Sequence, residues 1–186
     1  MDVQSNVSYP ARRYILARTT ENPRVAAICA SIESSYHELN ELIETQLSHL
    51  NPELLYREPA PQEWTLMQSL AHVAEFMSYW GHEVAQLVAQ PGRNFGRTQQ
   101  HEGRLDAINQ HAHDTLDQMR NELPESYQQL IQVIDSLRDG DLELTGHHVK
   151  FGPQTLGWFI REFITDHLTA HLTQMRAALS QLYTQP

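Results

Sequence analysis

The chain has 186 residues, 40% of them hydrophobic, enough for one domain with a sizeable core. Its 13 basic and 23 acidic residues give a net charge of −10, which repels phosphate backbones and anionic membrane surfaces and speaks against nucleic acid or membrane as a partner. The single cysteine, Cys29, excludes an internal disulfide and a thiolate zinc site. No apolar run approaches the roughly 20 residues of a membrane span, and the start Met1-Asp2-Val3-Gln4-Ser5 lacks a secretory pattern, so the cytoplasm is the expected location.

Residues 1–22 read as an irregular arm, broken by Pro10 and the Arg12-Arg13 pair, and residues 23–186 as the domain. The aromatic and arginine groups of Tyr9 to Tyr14 are of a kind enriched at interfaces, and a homodimer is expected. Asn22-Pro23 is a helix start, an N-cap side chain before a first-turn proline. The stripe Val25, Ile28, Cys29, Ile32, Tyr36, Leu39, Ile43, Leu47 and Leu50 then predicts one long helix ending near Asn51-Pro52. Cys29 falls on that stripe and reads as a small buried hydrophobe rather than a reactive thiol. His37 and His49 flank it and are expected in solvent.

Pro52 to Glu63, with three prolines, predicts a loop. Thr65 with Gln68 has the spacing of a capping box and opens a second helix on Leu66, Leu70, Val73, Met77, Trp80 and Val84. His72 lies at the edge of this apolar face, with Glu75 three residues on as its neighbour. Pro91-Gly92 ends the helix. The polar loop Gly92 to Gly103 has the length of a functional lid and carries Arg93 and Arg97, placed to attract anionic groups of a substrate.

Leu105, Ile108, Ala112, Leu116 and Met119 predict a helix stopping before Pro124, and Pro124-Glu125 reopens one that runs to Asp139-Gly140. Whether 104–139 is one kinked helix or two pieces is left open by the pattern. His111 and His113 diverge on a helix and read as solvated, and the adjacent His147-His148, in a predicted loop from Gly146 to Pro153, read as exposed. The last helix, capped by Thr155, carries the stripe Leu156, Phe159, Ile160, Phe163, Ile164, His167, Leu168, His171, Leu172, Met175 and Leu179. His167 and His171, four residues apart, project the same way, and two imidazoles on an inward face need either hydrogen-bond partners or one shared metal ion. Four main helices and no alternating run long enough for a sheet predict an all-α, antiparallel four-helix bundle.

Two segments carry a family resemblance. They are Glu63-Trp64-Thr65-Leu66-Met67-Gln68-Ser69-Leu70-Ala71-His72-Val73-Ala74-Glu75, and Thr155-Leu156-Gly157-Trp158 followed by Asp166-His167 through His171-Leu172-Thr173-Gln174-Met175. Over roughly residues 25–183 the chain resembles the DinB superfamily, bacterial four-helix bundles that include thiol-dependent S-transferases. The resemblance implies a three-histidine site, His72, His167 and His171, for a divalent transition metal. Three neutral imidazoles suit zinc, nickel or iron(II) and leave a coordination position open, as in catalytic zinc sites. Glu75 would then serve as an outer-shell acceptor, an extra ligand or a base. The implied function is transfer of a low-molecular-weight thiol to a small electrophile. A metal-dependent hydrolase using bound hydroxide, and a non-catalytic metal-binding or interaction bundle, are the alternatives.

Overall fold

The structure is a computed structural model that describes residues 21–98, 100–111 and 113–184; the arm proposed for 1–22, with its interface stretch Tyr9 to Tyr14, lies almost wholly outside the described residues. Helix α1 spans Pro23–Thr45 and α2 Leu66–Ala89. A short α3, Glu102–His111, precedes α4, Leu116–Ser136. The last helical run is α5, Leu156–Ile160, a π-helical turn Arg161–Thr165, and α6, Asp166–Thr184. The bundle's main contacts pair α1 with α4, α4 with α2, α2 with α6, and α6 with α1. The long helices consecutive in sequence, α1 and α2, therefore sit on a diagonal. The connection of about twenty residues between them, with short 3₁₀ turns at Leu47–His49 and Pro52–Tyr56, permits that crossing.

The predicted apolar stripes form the core. Val25, Ile32, Leu39 and Ile43 of α1 and Leu66, Leu70, Val73, Met77 and Val84 of α2 are buried, together with Phe159, Ile160 and Met175 of the last run. Each large side chain so buried contributes about 1.5–3 kcal/mol against exposure. Cys29 is buried among them, a packing group. Thr65 and Gln68 form the expected capping box. Asn22 acts differently: its side chain accepts from the Asp139 backbone N–H, while the Asp139 carboxylate caps α1 through the N–H groups of Arg24 and Val25. The cap comes from the far end of α4, and it ties two distant chain segments together.

Residues 104–139 form two helices, and the break lies at His113–Thr115 rather than at Pro124. Thr115 and Gln118 make a second capping box that starts α4 there, and Pro124 sits inside α4. One carbonyl loses its helical partner, which the packed helix tolerates.

The predicted 146–153 loop is instead a β-hairpin, β1 Thr145–His148 paired antiparallel with β2 Gly152–Thr155. Gly152 takes φ +69°, the left-handed conformation that closes a three-residue hairpin loop. The hairpin in turn anchors the 92–103 segment. Gly92 N–H donates to Thr145 O, Phe95 N–H to His147 O, and His147 N–H to Arg93 O. Glu83 of α2 accepts from the Gly96 N–H. Residues 92–96 of the segment expected as a lid thus form a wall tied to the hairpin and to α2. At Gly96 a Cβ would stand 2.8 Å from the Trp80 ring and 3.0 Å from His148, so only glycine lets the wall close on α2.

Candidate metal centre

His72 sits on the second turn of α2, and His167 and His171 on the first turns of α6. The π-helical turn before α6 holds one extra residue, its Asp166 N–H reaching back to Arg161 O. Such an insertion turns every later side chain about the helix axis, and π turns gather at functional sites. His167 Nε2 lies 3.1 Å from His72 Nε2 and 3.1 Å from His171 Nε2. Trp64 lies parallel to the His171 ring, with centroids 6.2 Å apart, and meets His72 edge-on; Phe76 meets His167 edge-on at 4.9 Å. His72 and His171 are buried and His167 half-buried, so the edge-of-face reading of His72 is corrected: it is 2% exposed.

The electrostatics keep all three rings neutral. Burial, aided by His171, Arg104, His167 and Arg97, pushes His72 down to about 2. Burial with the neighbouring His171 and Arg104 lowers His167 to about 4, and burial brings His171 to about 4 against its own hydrogen bond to Gln174, which raises it. Neutral imidazole is the form that binds metal.

The three nitrogens fit an ion better than they fit one another. A neutral ring nitrogen carries one proton or one lone pair. His167 Nε2 faces two nitrogens at 3.1 Å and can satisfy only one of them. The His171 Nδ1–H donates to Gln174 Oε1 at 3.0 Å, which leaves the lone pair on Nε2, facing His167. Nitrogens bound to one tetrahedral zinc at ~2.0–2.1 Å lie about 3.3 Å apart, close to the spacing here. The donor set is imidazole only, suited to zinc, nickel or iron(II).

Glu75 stands behind His72. Its Oε2 is buried without a hydrogen-bond partner, 3.8 Å from the equally orphaned His72 Nδ1, and its Oε1 pairs with Arg97. The carboxylate therefore faces the ring nitrogen that points away from the other histidines, the position of an outer-shell acceptor and not of an extra ligand. Arg97 is not a solvated loop residue. Its side chain is 7% exposed, and its guanidinium lies over Tyr79 at 3.7 Å and pairs with Glu75. Arg93 pairs with Glu83 at 3.5 Å and does not reach the cavity beside the histidines.

That cavity, about 550 Å³, is bordered by His72 and His167 and walled by Trp80, Phe151 and Phe163, with Arg97, Arg104, Lys150, His148 and Glu162 among its polar groups. Its size suits a small molecule. Arg104, Glu162 and His148 are additions to the sequence reading. His148 corrects it, being 3% exposed where a solvated loop histidine was expected, while His147 is exposed. A four-residue strand, Thr-Gly-His-His, carries no pattern from which that burial is readable.

A four-helix bundle with a three-histidine cluster beside a solvent-open pocket defines a class of candidate metalloproteins. The chain belongs to the DinB superfamily, whose family model matches residues 32–175. Among curated proteins none matches it in sequence. Among solved structures it is similar to TT2238, a four-helix bundle protein, at 18% identity and TM-score 0.58, over 82% of this chain and 98% of that one. It is similar to an uncharacterised protein from Clostridium difficile 630 at 14% identity and TM-score 0.59, over 81% and 92%. It is also similar to YfiT from Bacillus subtilis, described as a probable metal-dependent hydrolase with an unusual four-helix bundle topology, at 10% identity and TM-score 0.52, over 98% and 90%. These likenesses establish the fold. No described helix is long and apolar enough to cross a membrane.

Proposed function

We propose that His72, His167 and His171 hold one divalent transition-metal ion, and that the protein uses it to transfer a low-molecular-weight thiol to a small electrophile. The observation that carries the metal reading is the position of His167 Nε2, 3.1 Å from two other imidazole nitrogens that it cannot both satisfy. Three protein ligands would leave a position open toward the cavity. When bound, the ion lowers the pKa of a thiol or a water and makes it the stronger nucleophile.

The chain's own residues frame that chemistry. His171 is oriented by Gln174, and His72 is backed by Glu75, itself fixed by Arg97. Cys29 is packed in the core of α1, so the thiol comes from solution. Its sulfur would bond to the electrophilic carbon, the leaving group would take the electrons of the broken bond, and the thiol proton would pass to solvent. Hydrolysis is the second reading. Glu162, a carboxylate on the cavity wall, favours it, as does the description of YfiT.

The test is cobalt-substituted, untagged protein titrated with L-cysteine and assayed with a fluorogenic alkyl chloride and with p-nitrophenyl acetate. The transferase reading expects a saturable change in the visible cobalt spectrum and metal-dependent conjugation. Ester cleavage without a thiol effect would replace it with the hydrolase. Cobalt uptake with neither activity would leave a metal-binding bundle. The homodimer belongs to the same reading, and sedimentation at a mass near 21 kDa at all concentrations would remove it.

A further inference from the structure

The first turns of α1 form one wall of an open groove of about 610 Å³. Ala27, Ile28 and Ser31 border it from α1, Trp158 from α5, and Arg161 and Thr165 from the two ends of the π-helical turn. Ile28 and Trp158 are half-buried, packed against the edge of the core and bordering the groove as well, so its floor is apolar. Its charges are balanced. Arg24 pairs with Glu143 at 2.6 Å, and Arg161 and Asp166 on the opposite wall are of opposite sign. The proposed metal chemistry uses none of these residues.

The position of the groove says what covers it. It begins one turn from the start of α1, where residues 1–20 join the described chain at Glu21. The longest apolar run of those residues is Tyr14-Ile15-Leu16-Ala17, and their three arginines against Asp2 carry +2, which leaves −12 on the rest of a chain of net charge −10. Leu16 precedes Glu21 by five residues, a reach of about 16–18 Å when extended, while the α1 wall from Arg24 to Ser31 is about 10 Å long. A segment on so short a tether meets the groove at an effective concentration on the order of millimolar, which favours it over a separate partner. The family model begins at residue 32, so residues 1–20 and the α1 wall of the groove both precede the matched bundle.

We propose that this groove is the docking site of the chain's own residues 14–17, which turn back along α1 and seat Leu16 on Ile28 and Trp158. The opposite wall ends at Thr165 and Asp166, and His167 follows directly in the chain. The docked segment therefore braces the π-helical turn that sets the direction of His167 and His171. The contact is apolar and intramolecular, and it forms whether or not the histidines hold an ion.

The test uses the full chain. In methyl-labelled wild-type protein, nuclear Overhauser effects should connect the Leu16 methyl groups with the Trp158 ring. In indole-labelled protein, Leu16→Asp should move the Trp158 N–H signal and leave those of Trp64 and Trp80 in place. Loss of one buried leucine contact should also quicken amide exchange across Arg161–Asp166 by about tenfold. Leu16→Cys combined with Ala27→Cys should form a disulfide at least about tenfold faster than Leu16→Cys combined with Glu33→Cys, since residues one turn and a half apart on α1 point to different sides. The cross-linked product should run as a monomer on a non-reducing gel. Disulfide-linked dimers would give the groove to the segment of a second copy and overturn the proposal. Absence of the Leu16–Trp158 effects would overturn it as well, and that measurement, made on wild-type protein, decides the matter even if a variant misfolds.

Discussion

Beside the cavity, His72, His167 and His171 bring three nitrogens together; at the junction of α3 and α4, His111, Asp114 and Glu122 likewise bring three potential ligand atoms within 4.8 Å of one another. Proximity alone does not separate the two clusters. In the second, the His111 Nδ1–H donates to Asp114 Oδ2 at 2.7 Å, with Glu122 Oε2 3.5 Å away, so the ring donor finds its acceptor within the cluster. In the first, His167 Nε2 faces two imidazole nitrogens of which it can satisfy only one, in surroundings that burial keeps neutral. The half-exposed cluster finds a donor among its own members, whereas the buried one keeps an unmatched nitrogen, which the proposed ion would satisfy. What marks a candidate metal site is a mismatch between donors and acceptors, not a count of ligand types.

The sharpest way to break this comparison is metal content. Untagged wild-type protein should carry close to one equivalent of transition metal; His167→Ala should retain less than about a tenth of it, and His111→Ala all of it, since three-ligand sites lose most of their affinity with one ligand. Elemental analysis giving equal metal in the two variants would erase the distinction.

The next effect is on stability against pH in the metal-free protein. His72 is lowered to about 2 and His167 and His171 to about 4, against about 6.5 in an unfolded chain. Below 6.5 the unfolded state therefore binds more protons than the folded one, so stability rises with pH and is lost as pH falls from 6.5 towards 4. Between pH 6.5 and 5.5 each ring costs about 1 kcal/mol, or about 3 kcal/mol for the three. Urea midpoints of chelated protein should fall accordingly, and His167→Leu should flatten the slope by about a third. Parallel slopes in variant and wild type would show that the rings are not held neutral.

Glu75→Gln comes third. Gln keeps the shape and removes the charge behind His72, and loss of such an acceptor weakens metal binding by about 10–100-fold. Competition with a chromophoric chelator measures it, with Glu122→Gln as the control expected to stay at the wild-type value. Unchanged affinity in Glu75→Gln would reduce the carboxylate to a partner of Arg97.

The two clusters also differ in how far the sequence discloses them. The four long helices are legible because their apolar stripes repeat at helical spacing and Thr65–Gln68 marks a start. The His167/His171 pair is legible from its i, i+4 interval. His72 is not joined to that pair by any local pattern; it stands 95 residues away, and only the family resemblance connected them. The features around the centre are non-local in origin. The hairpin has strands of Thr-Gly-His-His and Gly-Pro-Gln-Thr, with neither alternation nor β-branched runs, and is held by the Gly92–Phe95 backbone. The α3–α4 break was masked by Pro124, a stronger local signal than Thr115–Gln118. His148 and Arg104 matter only because of where the hairpin and α3 place them.

The smallest expected effect lies at the matched cluster, and it tests the comparison from the other side. His111, Asp114 and Glu122 are each about a quarter to a third exposed, so their ion pairs are screened by water. Pairs of that kind contribute about 0.2–1 kcal/mol. His111→Gln should therefore lower stability by less than about 1 kcal/mol in dilute buffer. In 1 M sodium chloride, where the screening length falls to about 3 Å, most of that loss should vanish. The Asp114 carbonyl keeps its 2.7 Å hydrogen bond from the Tyr56 hydroxyl, so the junction itself should stay intact. A loss above about 2 kcal/mol, insensitive to salt, would mean that this cluster is not internally satisfied. It would then need the same explanation as the buried one, and donor–acceptor mismatch would no longer tell the two apart.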